Sequence, residues 1–426
     1  MINDVYYTWL PHLQLCVCYS QLGKHALAYA HNEIARQYLP DHPSILHNKR
    51  YLEPLLQQSQ LANKAEEWLR IAEQVDQKFK PTEGTKRLNI TYVMNHMKIC
   101  GGVKIVLEYT NYLIKRGHMV NIVCYDPEPS WIKVKANYIQ VPSGRRLVDS
   151  IPDTDVIVTT VWDQMVDCYM VQRAPVIHFE HGDIYIFEFD NYDKNTQDVW
   201  KQRWSVPVPI LAVSSGLAAQ LEKNFNRKPQ VLHNALNDKI FYPRTKHQES
   251  ERPRILFVGP EQWSYKGIPD ILAAIELVRK RGYEIDPIWV TQKTPDSAFE
   301  GTVHIGPPQE KLGELYRNCD IYVCGSYFES FPLPPLEAMT SGCAVISTRN
   351  VGVLEYAEHD QNCLLTNIGD PNGLADAIIE LIDNAEKRAF LVKNGYETAA
   401  KFKWENIMER LEMFIYDQVQ TWNEKA

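Results

Sequence analysis

The chain has 426 residues, of which 45% are apolar and 23% charged, the ordinary balance of a folded globular protein and not of a disordered one. At roughly 150 residues per domain, this length predicts two or three compact units. The 53 acidic and 45 basic side chains give a net charge of −8. This charge argues against a nucleic-acid-binding surface, because such binding depends on cationic side chains that meet phosphates.

The cysteines and the amino-terminal segment favour a cytoplasmic location. Nine cysteines form no Cys-x-x-Cys pair, and several, such as Cys124 and Cys324, lie in apolar runs that suit small buried side chains in a reducing compartment. The first residues lack the basic and apolar regions of a signal peptide. The uncharged stretch from Val5 to Gly23 fits a helix of a soluble protein better than a membrane span. We therefore expect a soluble, cytoplasmic protein.

Residues 1–84 are predicted to be helical throughout. Ala28, Ala35 and Pro40 follow Leu22-Gly23 at the spacing of a tetratricopeptide repeat, a helix-turn-helix unit of about 34 residues. We place this partial repeat at about residues 9–42, with a further helix at 44–57 and a linker at 78–87. A single repeat cannot bury its apolar face, so this region is expected to pack on the rest of the chain or to be the tail of a longer array.

From Leu88 onward, short β-branched runs alternate with amphipathic stretches, which predicts parallel, doubly wound α/β sheets. The first series of strands is predicted at 88–94, 120–125, 137–141, 156–161, 175–179 and 210–213. A polar connection at 244–253 precedes a second series, predicted at 254–258, 286–290, 303–305, 321–324, 344–348 and 363–366. The domains are expected at 85–245 and 252–403, followed by a helix within 404–426, and a ligand site is expected in the cleft between the two sheets.

The most informative segment is Ser326 to Met339, which directly follows the strand predicted at 321–324. Pro334 and Pro335 are tolerated only in the first turn of a helix, so a helix has to begin there. Its amino end would offer free N–H groups suited to a diphosphate. Glu329 in the loop and Glu337 near the first turn are suited to accept hydrogen bonds from sugar hydroxyls. The alternative is that Glu337 only favours the helix start electrostatically and that Glu329 is a solvated loop residue.

This segment resembles the donor-site signature of the retaining glycosyltransferases of family 4 (glycosyl transferases group 1), in which seven residues separate two glutamates. The resemblance implies the GT-B fold, two Rossmann-like domains that face a cleft, and transfer of a sugar from a nucleotide sugar to an acceptor hydroxyl. It implies that Glu329 contacts the donor sugar as a catalytic residue and that Glu337 contacts the ribose. Phe331 and Leu333, which lie between them, are assigned to the donor site, and neither a metal ion nor a cofactor is implied.

Four further stretches fit the same family, so that the resemblance covers about residues 88–415. Two of them, at 212–215 and 231–235, resemble the end of the family's amino-terminal domain. Gly101-Gly102 opens a predicted helix and resembles the family's glycine loop, where the backbone approaches the donor phosphates. Lys266 follows the strand predicted at 254–258 and resembles the lysine that grips the diphosphate.

One departure from the family pattern concerns the cations of the donor site. The family usually has an arginine directly after the glycine at the end of this strand, where the present chain has Pro260. The loss of a guanidinium weakens neutralisation of the leaving diphosphate. We expect either that Arg349 or Lys104 supplies the missing charge or that the donor is bound weakly.

The segment from His178 to Gly182 follows a predicted strand and would face the same cleft. The resemblance implies a histidine near the donor sugar and the acceptor, and we assign this place to His181. Its role would be a hydrogen bond or the relay of a proton from the acceptor hydroxyl. The alternative is a structural histidine, while a zinc site at His178 and His181 lacks a third ligand.

The sequence thus predicts a retaining glycosyltransferase of polysaccharide or surface-glycan synthesis, with a nucleotide-sugar donor and a glycan or lipid-linked acceptor. A lipid-linked acceptor would bring loose, peripheral association with a membrane. The alternative is a catalytically degenerate GT-B scaffold that holds a protein partner through its helical amino-terminal region, which Pro260 and the repeat fragment motivate. An epimerase or a phosphorylase on the same fold is a third hypothesis. An NAD-linked dehydrogenase is disfavoured because no Gly-x-Gly-x-x-Gly motif follows either first strand.

Overall fold

The computed structural model of the chain describes residues 9–21, 25–57, 87–244 and 251–425. It divides into two compact units, a helical one within Met1–Lys86 that also takes in Lys115–Gly117, and a larger one that holds two β-sheets. Leu22-Gly23 of the predicted repeat, residues 78–86 of the predicted linker and residues 245–250 of the predicted connection lie outside the described residues.

The helical unit contains the helices α1 (Trp9–Gln21), α2 (His25–Tyr38) and α3 (Pro43–Gln57). Cys16, Ala28 and Leu52, one residue from each helix, form its small buried core. The amide of Asn32 in α2 is also buried and donates to the carbonyl oxygen of Ile45 at 3.0 Å. The predicted helical character is confirmed for residues 9–21 and 25–57, while the rest of residues 1–84 lies outside the described ranges. The assignment to the tetratricopeptide family stays a prediction.

The first sheet has seven parallel strands in the order β3-β2-β1-β4-β5-β6-β7. The strands are β1 (Asn89–Met94), β2 (Met119–Cys124), β3 (Asn137–Gln140), β4 (Val156–Thr159), β5 (Val176–Glu180), β6 (Ile210–Ala212) and β7 (Gln230–Val231). The helices are α4 (Gly101–Lys115), α5 (Trp162–Met170), α6 (Ile184–Phe187), α7 (Lys194–Trp204) and α8 (Ser215–Phe225). The strand order reverses between β1 and β4, and sheets of this kind bind ligands at the carboxyl ends of such strands.

The second sheet repeats this arrangement with six parallel strands in the order β10-β9-β8-β11-β12-β13. The strands are β8 (Arg254–Val258), β9 (Asp286–Thr291), β10 (Thr302–Ile305), β11 (Ile321–Cys324), β12 (Ala344–Thr348) and β13 (Leu364–Thr366). The helices are α9 (Ile268–Lys280), α10 (Gln309–Arg317), α11 (Leu333–Ser341), α12 (Pro371–Asp383) and α13 (Ala385–Ala399). The order reverses between β8 and β11, the strands that precede Lys266 and Glu329. The predicted fold class, two Rossmann-like domains preceded by a helical region, is confirmed.

The last helix, α14 (Trp404–Lys425), packs on the first sheet domain although it follows the second along the chain. The indole ring of Trp404 stacks on the ring of Tyr112, with 4.2 Å between the centroids. Farther along the helix, the carboxylate of Glu412 lies 3.0 Å from Nε2 of His118, and both side chains are buried. The sequence predicts this helix but not the domain that it covers.

Among the described residues, no helix is both long enough and apolar enough to cross a membrane.

Candidate functional site

The loops that follow β5 and β11 bring the two sheet domains into contact. The hydroxyl of Ser330 donates to the carbonyl oxygen of Gly182 at 3.2 Å. Gly182 has a left-handed backbone (φ 95°), and a Cβ atom at this position would overlap the Ser330 side chain. A glycine is thus required for this approach. His181 and Glu329, the two residues that the sequence assigns to catalysis, directly precede Gly182 and Ser330 along the chain.

Lys266 and Glu329 form an ion pair at the carboxyl ends of β8 and β11. Nζ of Lys266 lies 2.6 Å from Oε1 of Glu329, which also accepts from the hydroxyl of Ser326 at 2.9 Å. Burial alone would lower the pKa of Lys266, but the carboxylate of Glu329 outweighs burial and raises it. The site therefore presents an ammonium group that stays charged at neutral pH.

A close approach of two glycines positions this ion pair. Gly267 ends the 3-10 turn Ser264–Lys266 in the left-handed region (φ 61°), and a Cβ atom there would overlap the backbone of Gly325. A Cβ atom on Gly325 would in turn lie 2.8 Å from the carbonyl oxygen of Gly267. Larger residues would separate the loops that carry Lys266 and Glu329.

Helix α11 begins where the two prolines predict it, with Pro334 and Pro335 in its first turn. Leu333, its first residue, is half-buried, and the ring of Phe331, two residues earlier, is buried. This ring stacks on His233 at a centroid distance of 5.4 Å and contacts Tyr356 and Phe402. The Phe331 side chain thus packs in an aromatic cluster, and its backbone lies in the loop at 325–332, named the donor loop after the donor contact that the sequence predicts for Glu329.

Glu337 is buried in α11, and its partner comes from the first sheet domain. Nζ of Lys104 in α4 lies 3.7 Å from Oε1 of Glu337 and donates to Oε1 of Gln309 at 2.6 Å. Burial raises the pKa of Glu337, and the charge of Lys104 opposes this rise. Burial likewise raises the pKa of Glu108, one turn farther along α4, and the charge of Lys104 again opposes the rise. Lys104 therefore lies between carboxylates of both domains and is a cation close to the predicted ribose contact.

Gly101 and Gly102 are the first two residues of α4. A Cβ atom on either glycine would meet no other atom within 4 Å. The space in front of this helix end is open, so packing among the described residues gives no reason for glycine at these positions.

His181 differs from His178 in its surroundings. Both ring nitrogens of His181 are buried and have no hydrogen-bond partner among the described residues. The centroid of its ring lies 4.4 Å from the centroid of the Phe179 ring. Burial lowers the pKa of His181 to about 4, against the opposing charge of Glu180, so its imidazole is neutral at pH 7. His178 instead contacts Thr159 and Glu180. In the described ranges, no three His, Cys, Asp or Glu side chains lie together as a metal site.

The loop that contains Pro260 is anchored to the loop that follows β9. The carboxylate of Glu261 accepts from the backbone N–H groups of Asp296 and Ser297 at 2.9 and 3.1 Å and from the Ser297 hydroxyl. A carboxylate therefore fixes the loop in which the family usually places an arginine. Arg349, the other cation considered to replace it, is exposed directly after β12.

A further contact between the two sheet domains was not predicted from the sequence. Glu355 accepts from the backbone N–H group of Ser215 at 2.9 Å and lies 2.6 Å from Nε2 of His233. His233 stands in a family-like stretch of the sequence, but its partner is 122 residues away along the chain. No spacing rule relates residues so far apart.

Comparison with known proteins relates the second sheet domain to a family. Residues 252–384 match the family described as Glycosyl transferases group 1. An uncharacterized glycosyltransferase of Methanocaldococcus jannaschii is 29% identical over 204 residues, which cover 46% of this chain and 56% of the relative. An MMP alpha-(1->4)-mannosyltransferase of Mycolicibacterium hassiacum is 27% identical over 213 residues, covering 46% of this chain and 51% of the relative. The chain thus spans about half the length of the curated relatives it matches.

A solved structure extends the similarity in fold to both sheet domains. The crystal structure of HepE from Anabaena in complex with UDP-glucose aligns with a TM-score of 0.64 at 16% identity. The alignment covers 79% of this chain and 100% of HepE. At this identity the likeness concerns the fold. Residues 252–384 form a glycosyl transferases group 1 domain, and the chain that contains it has the GT-B fold.

Proposed function

We propose that the protein is a glycosyltransferase that moves a sugar from a nucleotide sugar to an acceptor hydroxyl with retention of anomeric configuration. The observation that carries this proposal is the Lys266–Glu329 pair, held at 2.6 Å beside the amino end of α11. A cation and free helix N–H groups suit a diphosphate, and a carboxylate suits a sugar hydroxyl. The group 1 match and the fold shared with a UDP-glucose complex support the same chemistry.

The residues of the cleft divide the reaction between them. Lys266, the amino end of α11 and the open backbone at Gly101-Gly102 would stabilise the departing diphosphate, where negative charge develops. Glu329 would orient the donor sugar. His181 would hydrogen-bond a sugar or acceptor hydroxyl through its neutral imidazole. Neither a covalent nucleophile nor a metal ion or cofactor is assigned.

The acceptor is proposed to be a glycan or a lipid-linked glycan of polysaccharide or surface-glycan synthesis. A lipid-linked acceptor would place the protein at a membrane surface from the cytoplasmic side. Flotation with vesicles that contain such an acceptor would test this location. Protein that stays at the bottom of the gradient in the presence of the acceptor would contradict it.

The decisive experiment is turnover by the purified protein with a panel of nucleotide sugars that a thermal-shift screen selects, since a ligand of the native state raises Tm. Glu329→Ala is expected to lower kcat by about 100-fold or more. Glu314→Ala is the matched control, because Glu314 pairs with Lys311 at 2.9 Å on an exposed helix face. The anomeric configuration of the product, read by NMR, tests retention. A wild type that binds and turns over no nucleotide sugar would overturn the proposal.

The scaffold alternative rests on Pro260 and on the helical unit. It predicts a protein partner that is captured equally well by the wild type and by Glu337→Ala, together with no nucleotide binding by calorimetry. Turnover in the first experiment would exclude it.

A further inference from the structure

A chain of buried polar groups runs from the core of the first sheet to the cleft. Oγ1 of Thr159, at the end of β4, lies 3.0 Å from Nδ1 of His178 in β5. Nε2 of the same ring lies 3.1 Å from Oε2 of Glu180, the last residue of β5. All three side chains are buried, Glu180 with 2% exposure.

This series of hydrogen-bonded groups ends at the backbone of the turn that follows β5. The other carboxylate oxygen of Glu180, Oε1, accepts from the N–H group of Gly182 at 2.6 Å and from that of Asp183 at 3.3 Å. One tautomer satisfies every group, with Thr159 donating to Nδ1 of His178 and Nε2–H donating to Glu180. Burial would raise the pKa of Glu180, but the bonds from His178 and Gly182 outweigh burial and lower it, so that the group is a buried carboxylate at neutral pH.

This turn carries the predicted catalytic machinery of the first domain. It contains His181, whose buried ring nitrogens have no partner among the described residues, and Gly182, whose carbonyl oxygen accepts from Ser330 at 3.2 Å. Ser330 is the neighbour of Glu329 in the donor loop. The orientation of the turn therefore determines both where the imidazole stands and how the donor loop meets the first domain.

We propose that Glu180 is a positioning residue of the transfer reaction, which fixes the turn at 181–183 against the donor loop. This inference rests on the proposed function. Burial of a charge carries a large desolvation cost that hydrogen bonds have to offset, and an apolar side chain would fill the same space at a lower cost. What the carboxylate adds is specificity, because its backbone partners are the two N–H groups that define the turn.

The test compares two buried His–Glu pairs of the full-length protein. Glu180→Ala is expected to lower kcat by about ten-fold or more through misplacement of His181. The affinity for UDP is expected to stay within about two-fold, because Lys266 and α11 are untouched. Glu180→Gln is expected to recover most of kcat, since its amide oxygen still accepts from Gly182. The control is Glu412→Ala, in a buried pair of 3.0 Å on the last helix, which is expected to lower Tm without lowering kcat.

A double-mutant cycle and hydrogen exchange complete the test. If Glu180 acts through the turn, Glu180→Ala and Ser330→Ala together are expected to lower kcat by less than the product of their separate effects. Hydrogen exchange at the amides of Gly182 and Asp183 is expected to accelerate in Glu180→Ala, measured without any substrate. Thr159→Val removes only the hydroxyl that contacts His178, at the far end of this series of hydrogen bonds. It is expected to show the same acceleration to a smaller extent, and it replaces Glu180→Ala in the test if that variant does not fold.

The failure of this inference is distinct from failure of the proposed function. Wild-type kcat in Glu180→Ala, an equal loss of kcat in Glu412→Ala, or unchanged exchange at the turn would overturn the positioning role. A wild type without turnover would overturn the proposed function, and the exchange measurement would then decide alone whether Glu180 fixes the turn.

Discussion

At the scale of single residues, the Lys266–Glu329 pair makes a prediction that separates binding from turnover. Lys266→Ala is expected to weaken UDP binding by about 10- to 100-fold, because a charge-assisted hydrogen bond to phosphate is lost. Glu329→Ala is expected to leave UDP binding unchanged or tighter, because it releases the ammonium that the carboxylate holds at 2.6 Å. Titration calorimetry with UDP measures both variants, with Lys311→Ala as the control. Weaker UDP binding by Glu329→Ala would contradict the assigned roles.

Glu355 predicts a dependence of stability on pH. Burial would raise its pKa, but hydrogen bonds from His233 and Ser215 outweigh burial and lower the pKa below the ordinary 4.5. The folded protein therefore binds this proton less tightly than the unfolded chain does. The stabilisation is complete above the ordinary pKa and is lost as the pH falls through the lower folded-state value.

In melting experiments, Glu355→Gln is expected to be less stable than the wild type at pH 7, by about 1 kcal/mol, and to lose less stability on acidification. The two Tm curves should converge as the pH falls below the folded-state pKa of Glu355, where the wild-type carboxylate is protonated as well. Glu314→Gln, on an exposed helix face, is the control and should run parallel to the wild type. Curves for Glu355→Gln that also stay parallel to the wild type would show that the group does not titrate as described.

The difference between what the sequence predicts and what it omits is clearest for such residues. Lys266 and Glu329 can be picked out because each follows a recognisable strand, and the parallel order of strands brings strand ends together. Glu355 and Ser215 are 140 residues apart, in different domains, so that no local pattern connects them. Glu180 lies between these two cases, because the sequence predicts its side of the strand but not its partners in the turn. Strand alternation places it on the same side as His178, but not against the turn that it holds.

At the scale of secondary-structure elements, β-branched runs predict the strands well because buried parallel strands are almost continuously apolar. The two-residue strand β7 escapes prediction because it is too short to show a pattern. The packing of α14 cannot be predicted from the sequence for another reason. Its amphipathic sequence shows that one face is buried but not which domain buries it.

The packing of α14 on the first domain predicts a large effect of Trp404→Ala. The indole is buried between α14 and α4, where it stacks on Tyr112 and meets Tyr109 edge-on at a centroid distance of 5.0 Å. Removal of a buried tryptophan costs about 3–5 kcal/mol, measured as a shift of the urea midpoint. Met413→Ala in the same helix is the control. Met413 is 70% exposed, so its change should stay within about 0.5 kcal/mol. Equal effects of the two changes would mean that α14 does not pack as described.

At the scale of the whole two-sheet unit, several contacts join the two sheet domains, which the proposed reaction would require to close around a substrate. Lys104 meets Glu337, Ser330 meets Gly182, and Ser215 meets Glu355. Each contact pairs a group from one sheet domain with a group from the other. In the proposed reaction, closure would exclude water and suppress hydrolysis of a bound donor.

Gly216 allows closure to be tested without altering a polar group. It is the second residue of α8, and a Cβ atom there would overlap Cγ1 of Val351 in the other sheet domain. Gly216→Ala should not weaken α8 itself, because alanine is a better helix former than glycine. It should hold the two domains apart and lower kcat/KM by about ten-fold or more.

Val351→Ala removes the clashing methyl group, and the double variant Gly216→Ala/Val351→Ala is therefore expected to recover most of the lost activity. Steady-state rates of the two single variants and the double variant, measured with equal Tm as the folding control, decide the matter. A double variant as slow as Gly216→Ala alone would show that the loss arises within α8 and not from the contact between the domains. Recovery would identify Gly216, like Gly182, as a position at which the absence of a side chain lets the two sheet domains meet.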